Sequence, residues 1–183
     1  MEKSSPAMVM LSEARVDANI EDFELNIRGY NQVRCDAENR YTGGVVVYIR
    51  NDIKYEVVTV QKIIENCWCV VIRVKETWYK GIVVALYHSP SSSDSIFIKF
   101  IEDLVEDMIV KERCIVIGDF NIDFKVDAFY SNKLRNVMLN LGMKQYVDRP
   151  TRVTKDSYTI IDLVFTNIEI KVNVLDKPKI ADH

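Results

Sequence analysis

The sequence predicts an α/β fold, a sandwich of two β-sheets with helices on the outside. Strand-like runs rich in β-branched residues recur along its 183 residues, and two segments carry apolar residues at helical spacing. The order is strands, helix, strand, helix, strands, which suits paired sheets with helices packed against them. The strand runs are Ala7–Leu11, Asn31–Cys35, Gly44–Arg50, Tyr55–Val60, Cys67–Val74, Tyr79–Tyr87, Arg113–Gly118, Thr159–Thr166 and Ile170–Leu175. A hairpin is expected to turn near Lys75-Glu76-Thr77.

The first helix is predicted over Ser95–Val110, where Ile96, Phe97, Phe100, Ile101, Leu104, Val105, Met108 and Ile109 form an apolar stripe behind a Ser-Ser-Ser-Asp cap. The second is predicted over Tyr130–Leu141, with Leu134, Val137, Met138 and Leu141 on one face and Gly142 at the C-terminal cap. Both stripes read as core. Gly43-Gly44 suits a tight turn into a strand, and with no Lys or helix after it, it is no phosphate loop.

Composition narrows the function. Hydrophobic residues make up 48% and charged residues 28%, which excludes disorder. A net charge of -3 lacks the basic signature of a protein that holds nucleic acid by bulk electrostatics. The longest apolar stretches, Gly81–Tyr87 and Cys114–Ile117, fall far below the roughly 20 residues that cross a bilayer, so no membrane partner is expected. Cys35, Cys67, Cys69 and Cys114 lack zinc-site spacing and read as small buried hydrophobes, with Cys67 and Cys69 on one strand face. No secretory or transit pattern opens the chain at Met1-Glu2-Lys3-Ser4, so a nuclear or cytoplasmic, non-secreted protein is expected.

The chemistry-bearing residues end apolar runs. In Cys114-Ile115-Val116-Ile117-Gly118-Asp119-Phe120-Asn121, a buried strand delivers a carboxylate and a carboxamide two residues apart, on one face if extended. Asp119 can orient or deprotonate a water, and Asn121 can donate to developing charge on phosphate. Taken alone, Asp-x-Asn after a strand also serves as a turn or helix cap. Leu11-Ser12-Glu13 delivers another carboxylate, and Leu86-Tyr87-His88-Ser89-Pro90 a phenol and an imidazole; His88 reads as a turn residue. Asp162 lies inside the apolar strand Ile160–Phe165 and requires a partner, which the closing Asp182-His183 can supply: bonded to the His183 ring, Asp162 would set its tautomer and raise its basicity.

These motifs, in order, are Leu11-Ser12-Glu13, Tyr87-x-x-Pro90, Gly118-Asp119-Phe120-Asn121, Pro150-Thr151-Arg152, Ile161-Asp162-Leu163-Val164-Phe165 and Asp182-His183. Together they resemble the endonuclease domain of non-LTR (LINE-type) retrotransposons, within the endonuclease/exonuclease/phosphatase superfamily. The resemblance covers nearly the whole chain. It implies a DNase I-like sandwich that uses Mg²⁺ (or Mn²⁺) to nick DNA and leave a 3′-hydroxyl primer, with a reverse transcriptase domain as partner in a parent polyprotein. It further implies that Glu13 and Asp182 attend the metal and that Asp119 positions the attacking water. Asn121 and Tyr87 would reach the scissile phosphate, Thr151 would support the substrate side, and Asp162 would orient His183 against a phosphoryl oxygen.

The chain also departs from that pattern. The family's opening Asn-bearing strand and its final core strand after Asp-His are absent, so residues 1–183 read as one such domain cut short at both ends, with exposed sheet edges. Ala181 stands where the family often has Ser, and Ala14-Arg15 where it often has Thr and Trp. The competing readings are a headgroup phosphatase of the same superfamily and an inactive remnant.

Overall fold

A computed structural model describes residues 5–63, 66–109 and 112–175. Two sheets dominate it. The smaller has three antiparallel strands in the order β1 (Met8–Ser12), β3 (Val45–Arg50), β2 (Tyr30–Cys35). The larger has six, in the order β4 (Tyr55–Ile63), β5 (Cys67–Lys75), β6 (Lys80–His88), β7 (Arg113–Asp119), β11 (Asp162–Thr166), β8 (Lys144–Gln145). Between β6 and β7 lies the crossover helix α1 (Asp94–Ile109), so those two strands run parallel, as a crossover connection permits. The helix α2 (Phe129–Asn140) follows β7, and β9 (Arg152–Val153) pairs with β10 (Tyr158–Thr159) as a small ribbon.

Alternation along the strands sorts the side chains into layers. Cys67, Cys69 and Val71 of β5, Ile82, Val84 and Leu86 of β6, and Cys114 and Val116 of β7 face the helices, where they meet Phe97, Ile98, Ile101, Leu134 and Met138. Their neighbours Trp68, Val70 and Ile72, with Val83, Ala85 and Tyr87, face Val45, Val47 and Ile49 of the small sheet. Each large apolar side chain fully buried here contributes about 1.5–3 kcal/mol. The four cysteines are free and buried, as their spacing predicts. Both helices lie against the large sheet. The outer face of the small sheet is covered by the irregular segment 13–29, through Ala14, Val16, Ile20 and Leu25.

Four expectations are corrected. The run Thr159–Thr166 is two strands, because Ile160 and Ile161 donate their N–H groups to the Asp123 carboxylate (2.9 Å) and the Thr151 hydroxyl (3.2 Å) instead of to a ladder. Ile170–Leu175 forms no strand; residues 170–175 have no regular structure. On α1 the buried face is Phe97, Ile98, Ile101 and Val105, with Ile96 exposed, because Ile96 stands about 200° around the helix from Ile98. His88 closes β6 and is fully buried, so it is not a turn residue. The second helix and its cap stand as predicted: Gly142 has φ +71° and its N–H donates to Leu139 at 2.9 Å.

Gly118 sits where β7 passes close to β6. A Cβ there would lie 1.9 Å from the Leu86 carbonyl oxygen, opposite which Gly118 pairs. Gly118→Ala is expected to destabilise by about 2–3 kcal/mol or more, as a methyl forced into packed backbone does. Gly142→Ala, with no atom within 4 Å, should cost only about 1–2 kcal/mol for its left-handed backbone. Chemical denaturation of the two variants checks the ranking; equal losses would contradict it.

Candidate active site

The pairing of three strands assembles the site. Asp119, the last residue of β7, pairs with Tyr87 on the parallel side and with Asp162, the first residue of β11, on the antiparallel side. Alternation places all three on the face toward the small sheet, since Ile115 and Ile117 precede Asp119 on that face. Glu13 follows directly after β1 of the opposite sheet. Its backbone is left-handed at φ +50°, and its carboxylate pairs with Arg15 at 2.9 Å. Four residues far apart in sequence therefore meet at one end of the sandwich, within electrostatic reach of Asp119.

Asp119 is 1% exposed. Burial, then the Asp162 carboxylate, push its carboxyl up to about 7; the Asn121 N–H opposes them, Glu13 adds to the rise and Arg152 draws it back. Asn121 stands in a left-handed conformation (φ +47°), pinned from two sides. Its N–H donates to Asp119 Oδ1 at 3.0 Å, and its Nδ2 donates to the His88 carbonyl at 2.8 Å. Nδ2 carries a second proton besides the one given to His88.

Tyr87 is buried, its ring stacked on Trp68 with centroids 5.6 Å apart. Burial pushes the pKa of its phenol up, Glu13 and Asp119 nearby add to the rise and the Thr42 and Ser89 side chains draw it back, so the hydroxyl stays a donor. Gly43 makes room for this arrangement, since a Cβ there would overlap the Trp68 ring at 2.2 Å. Thr151 acts through the main chain: its Oγ1 accepts the N–H groups of Ile161 (3.2 Å) and Asp162 (3.1 Å) and so starts β11 at Asp162. A cavity of about 340 Å³ opens beside Ser12, Gly118, Thr151 and Asp162 between the sheets.

The structure thus brings together Glu13, Tyr87, Asp119, Asn121 and Asp162, with Thr151 behind Asp162. Asp162 is half-buried at the start of its strand, not in its interior. Asp182 and His183 lie outside the described residues, and so does the expected Asp162–His183 pair. Sequence reasoning overlooked Arg152 as the cation facing Asp119, and His88 as the group beneath Asn121. The period-two series Ile82, Val84, Leu86, His88 carried the signal for His88, since it places the imidazole on the helix-covered face.

Among the described residues no three His, Cys, Asp or Glu side chains are grouped closely enough to form a metal cage. The donors at hand nevertheless fit a hard divalent cation. Mg²⁺ needs only one or two carboxylates, with water and phosphate completing its shell, and the negative charges of Asp162 and Glu13 are both felt by the buried Asp119.

The sequence profile of the endonuclease-reverse transcriptase family matches residues 81–183, more than half of the chain. The chain belongs to this family. The endonuclease-reverse transcriptase match includes every described site residue except Glu13. No protein of curated function matches the sequence. Among solved structures, the endonuclease domain of TRAS1, a telomere-specific non-LTR retrotransposon, has a TM-score of 0.68 at 18% identity, over 87% of this chain and 71% of that one. The 3′–5′ exonuclease NExo from Neisseria meningitidis has 0.61 at 15% identity, over 90% and 77%. D. rerio TDP2 complexed with single-strand DNA product has 0.61 at 13%, over 88% and 70%. These likenesses show the fold, a two-sheet α/β sandwich of the DNase I-like kind, and the family that the profile assigns is hydrolytic by domain type.

The raised pKa of Asp119 has a stability consequence. The folded carboxyl keeps a proton that the unfolded chain loses near 3.8, so stability falls as pH rises from about 4 to 7, and the loss is complete above that. Asp119→Asn, which keeps the acceptor for Asn121, is expected to stabilise the metal-free protein by about 2–4 kcal/mol at pH 8, at about 1.4 kcal/mol per unit of pKa. The gain should be much smaller at pH 5 and vanish near pH 4. Denaturant melts across this range check it, and a pH-independent difference would mean that Asp119 carries no raised pKa.

Proposed function

We propose that this chain is a divalent-metal-dependent DNA endonuclease domain of a retroelement, nicking target DNA to leave a 3′-hydroxyl primer for a reverse transcriptase in the same polyprotein. The observation that supports it most strongly is the carboxylate Asp119, buried beside Asp162 and joined to the pinned Asn121, in a chain of the endonuclease-reverse transcriptase family.

Asp119, with a carboxyl near 7, is matched to accept a proton from the attacking water at neutral pH. Asn121 and the protonated Tyr87 donate toward the phosphoryl oxygens and add no negative charge where it would repel them. Thr151 fixes Asp162 through its backbone, and Asp162 in this reading orients His183 toward the phosphate. Glu13 and Asp182 would hold Mg²⁺ (or Mn²⁺), which when bound supplies Lewis-acid polarisation of the phosphoryl group. The products are a 5′-phosphate and a 3′-hydroxyl.

The test is nicking of supercoiled plasmid. Activity is expected with Mg²⁺ and not with EDTA, to rise with pH until Asp119 is ionised, and to fall at least about 100-fold in Glu13→Gln and in Asp119→Asn. The nicks should prime a DNA polymerase directly. Release of phosphate from inositol phosphates with the plasmid intact would replace this reading with a headgroup phosphatase, and inactivity on both would leave a non-catalytic remnant.

A further inference from the structure

His88 belongs to none of the chemistry assigned above, yet it is the one imidazole among the described residues and is wholly enclosed. Its Nδ1 lies 2.8 Å from the Phe120 carbonyl oxygen. A carbonyl only accepts, so Nδ1 carries the proton and donates. The ring stacks on Phe97 of α1, with centroids 4.1 Å apart at 11°, and Phe97 in turn meets the edge of Phe120 at 5.7 Å. Nε2 is buried without a hydrogen-bond partner, and the nearest carboxylate, Asp94, stands 3.8 Å away.

An apolar side chain would suit this position better if packing were its only task. Ile82, Val84 and Leu86 share the same strand face, and an unpaired buried nitrogen is a cost that Phe or Leu would not bring. What the imidazole alone supplies is the bond to Phe120. Through its own carbonyl, residue 88 also receives the Asn121 Nδ2, and so it meets both residues that follow Asp119. Asn121 holds a left-handed backbone, which Asn adopts more readily than other non-glycine residues, and its side chain is fixed there by the bond to the His88 carbonyl.

We infer that His88 is a positioning residue for the loop Asp119-Phe120-Asn121: its ring N–H holds the Phe120 carbonyl against the end of β6, which keeps the Asn121 carboxamide aimed at the site. The inference rests on the reading of Asp119 and Asn121 as the groups that meet water and phosphate, and it acts through them without touching substrate. It also links α1 to the site, because Phe97 holds the ring from the helix side.

His88→Phe keeps a buried ring against Phe97 and deletes the donor, whereas His88→Asn places an amide N–H near the former Nδ1. In His88→Phe, kcat for plasmid nicking is expected to fall about 10- to 100-fold with KM little changed, as a misplaced catalytic loop requires, and His88→Asn should recover much of it. Exchange of the Asn121 side-chain amide protons, followed by NMR, should accelerate in His88→Phe and not in His88→Asn. Wild-type kcat in His88→Phe with unchanged Asn121 exchange would overturn the inference and leave His88 as packing. If the wild-type chain does not nick, the endonuclease reading fails by itself, and the Asn121 exchange alone decides the positioning role. Should His88→Phe not fold, His88→Gln replaces it, its amide lying one methylene too far to meet Phe120; normal kcat and normal Asn121 exchange there overturn the inference equally.

Discussion

Asp119 is held where a carboxylate is least at ease, and the site is arranged around that fact. Its place is dictated by main-chain pairing, with Tyr87 of β6 on one side and Asp162 of β11 on the other. Its side chain lies on the face toward the small sheet, where it is 1% exposed. Burial and a second carboxylate push its pKa to about 7, and the groups around it offset part of the cost: the Asn121 N–H and the charge of Arg152. An ordinary surface aspartate would be fully ionised at neutral pH and correspondingly weak as a base. The fold supplies the tuning that the side chain alone lacks.

The surrounding core keeps that arrangement in place. Trp68 supports the Tyr87 ring from below, Gly43 leaves the indole its space, and Gly118 lets β7 lie close enough to β6 for Asp119 to pair beside Tyr87. On the helix side, Phe97, Phe120, Phe165 and Phe124 meet edge to face in a continuous series beneath the loop that carries Asn121. Core packing and site geometry are therefore the same set of contacts seen from two faces of the large sheet.

Much of this was legible in the sequence because it is periodic. The continuous apolar runs Cys67–Val74 and Tyr79–Tyr87 marked strands, buried on both faces in the structure, and the glycine after Leu141 gave the end of the second helix. The carboxylate and carboxamide of Gly118-Asp119-Phe120-Asn121 marked the site, and the motif order pointed to the family whose profile the chain matches. What was hidden depends on partners remote in the chain. Ile160 and Ile161 look like strand residues, and only the side chains of Asp123 and Thr151 divert their N–H groups. The alternating Ile170–Leu175 has the pattern of a strand and no partner to pair with among the described residues. The period-two series that ends on His88 marks its face, but its depth follows from α1 folding back over β6 and setting Phe97 against the ring.

The carboxyl of Asp119 can be observed directly. In the metal-free protein, side-chain ¹³C NMR across the pH range should show Asp119 titrating near 7, far from the ordinary 3.8, and Asp162→Asn should move that midpoint down. A midpoint near 4, unmoved by the change at position 162, would mean that burial and the paired carboxylate do not govern this site, and the account built on them would fall.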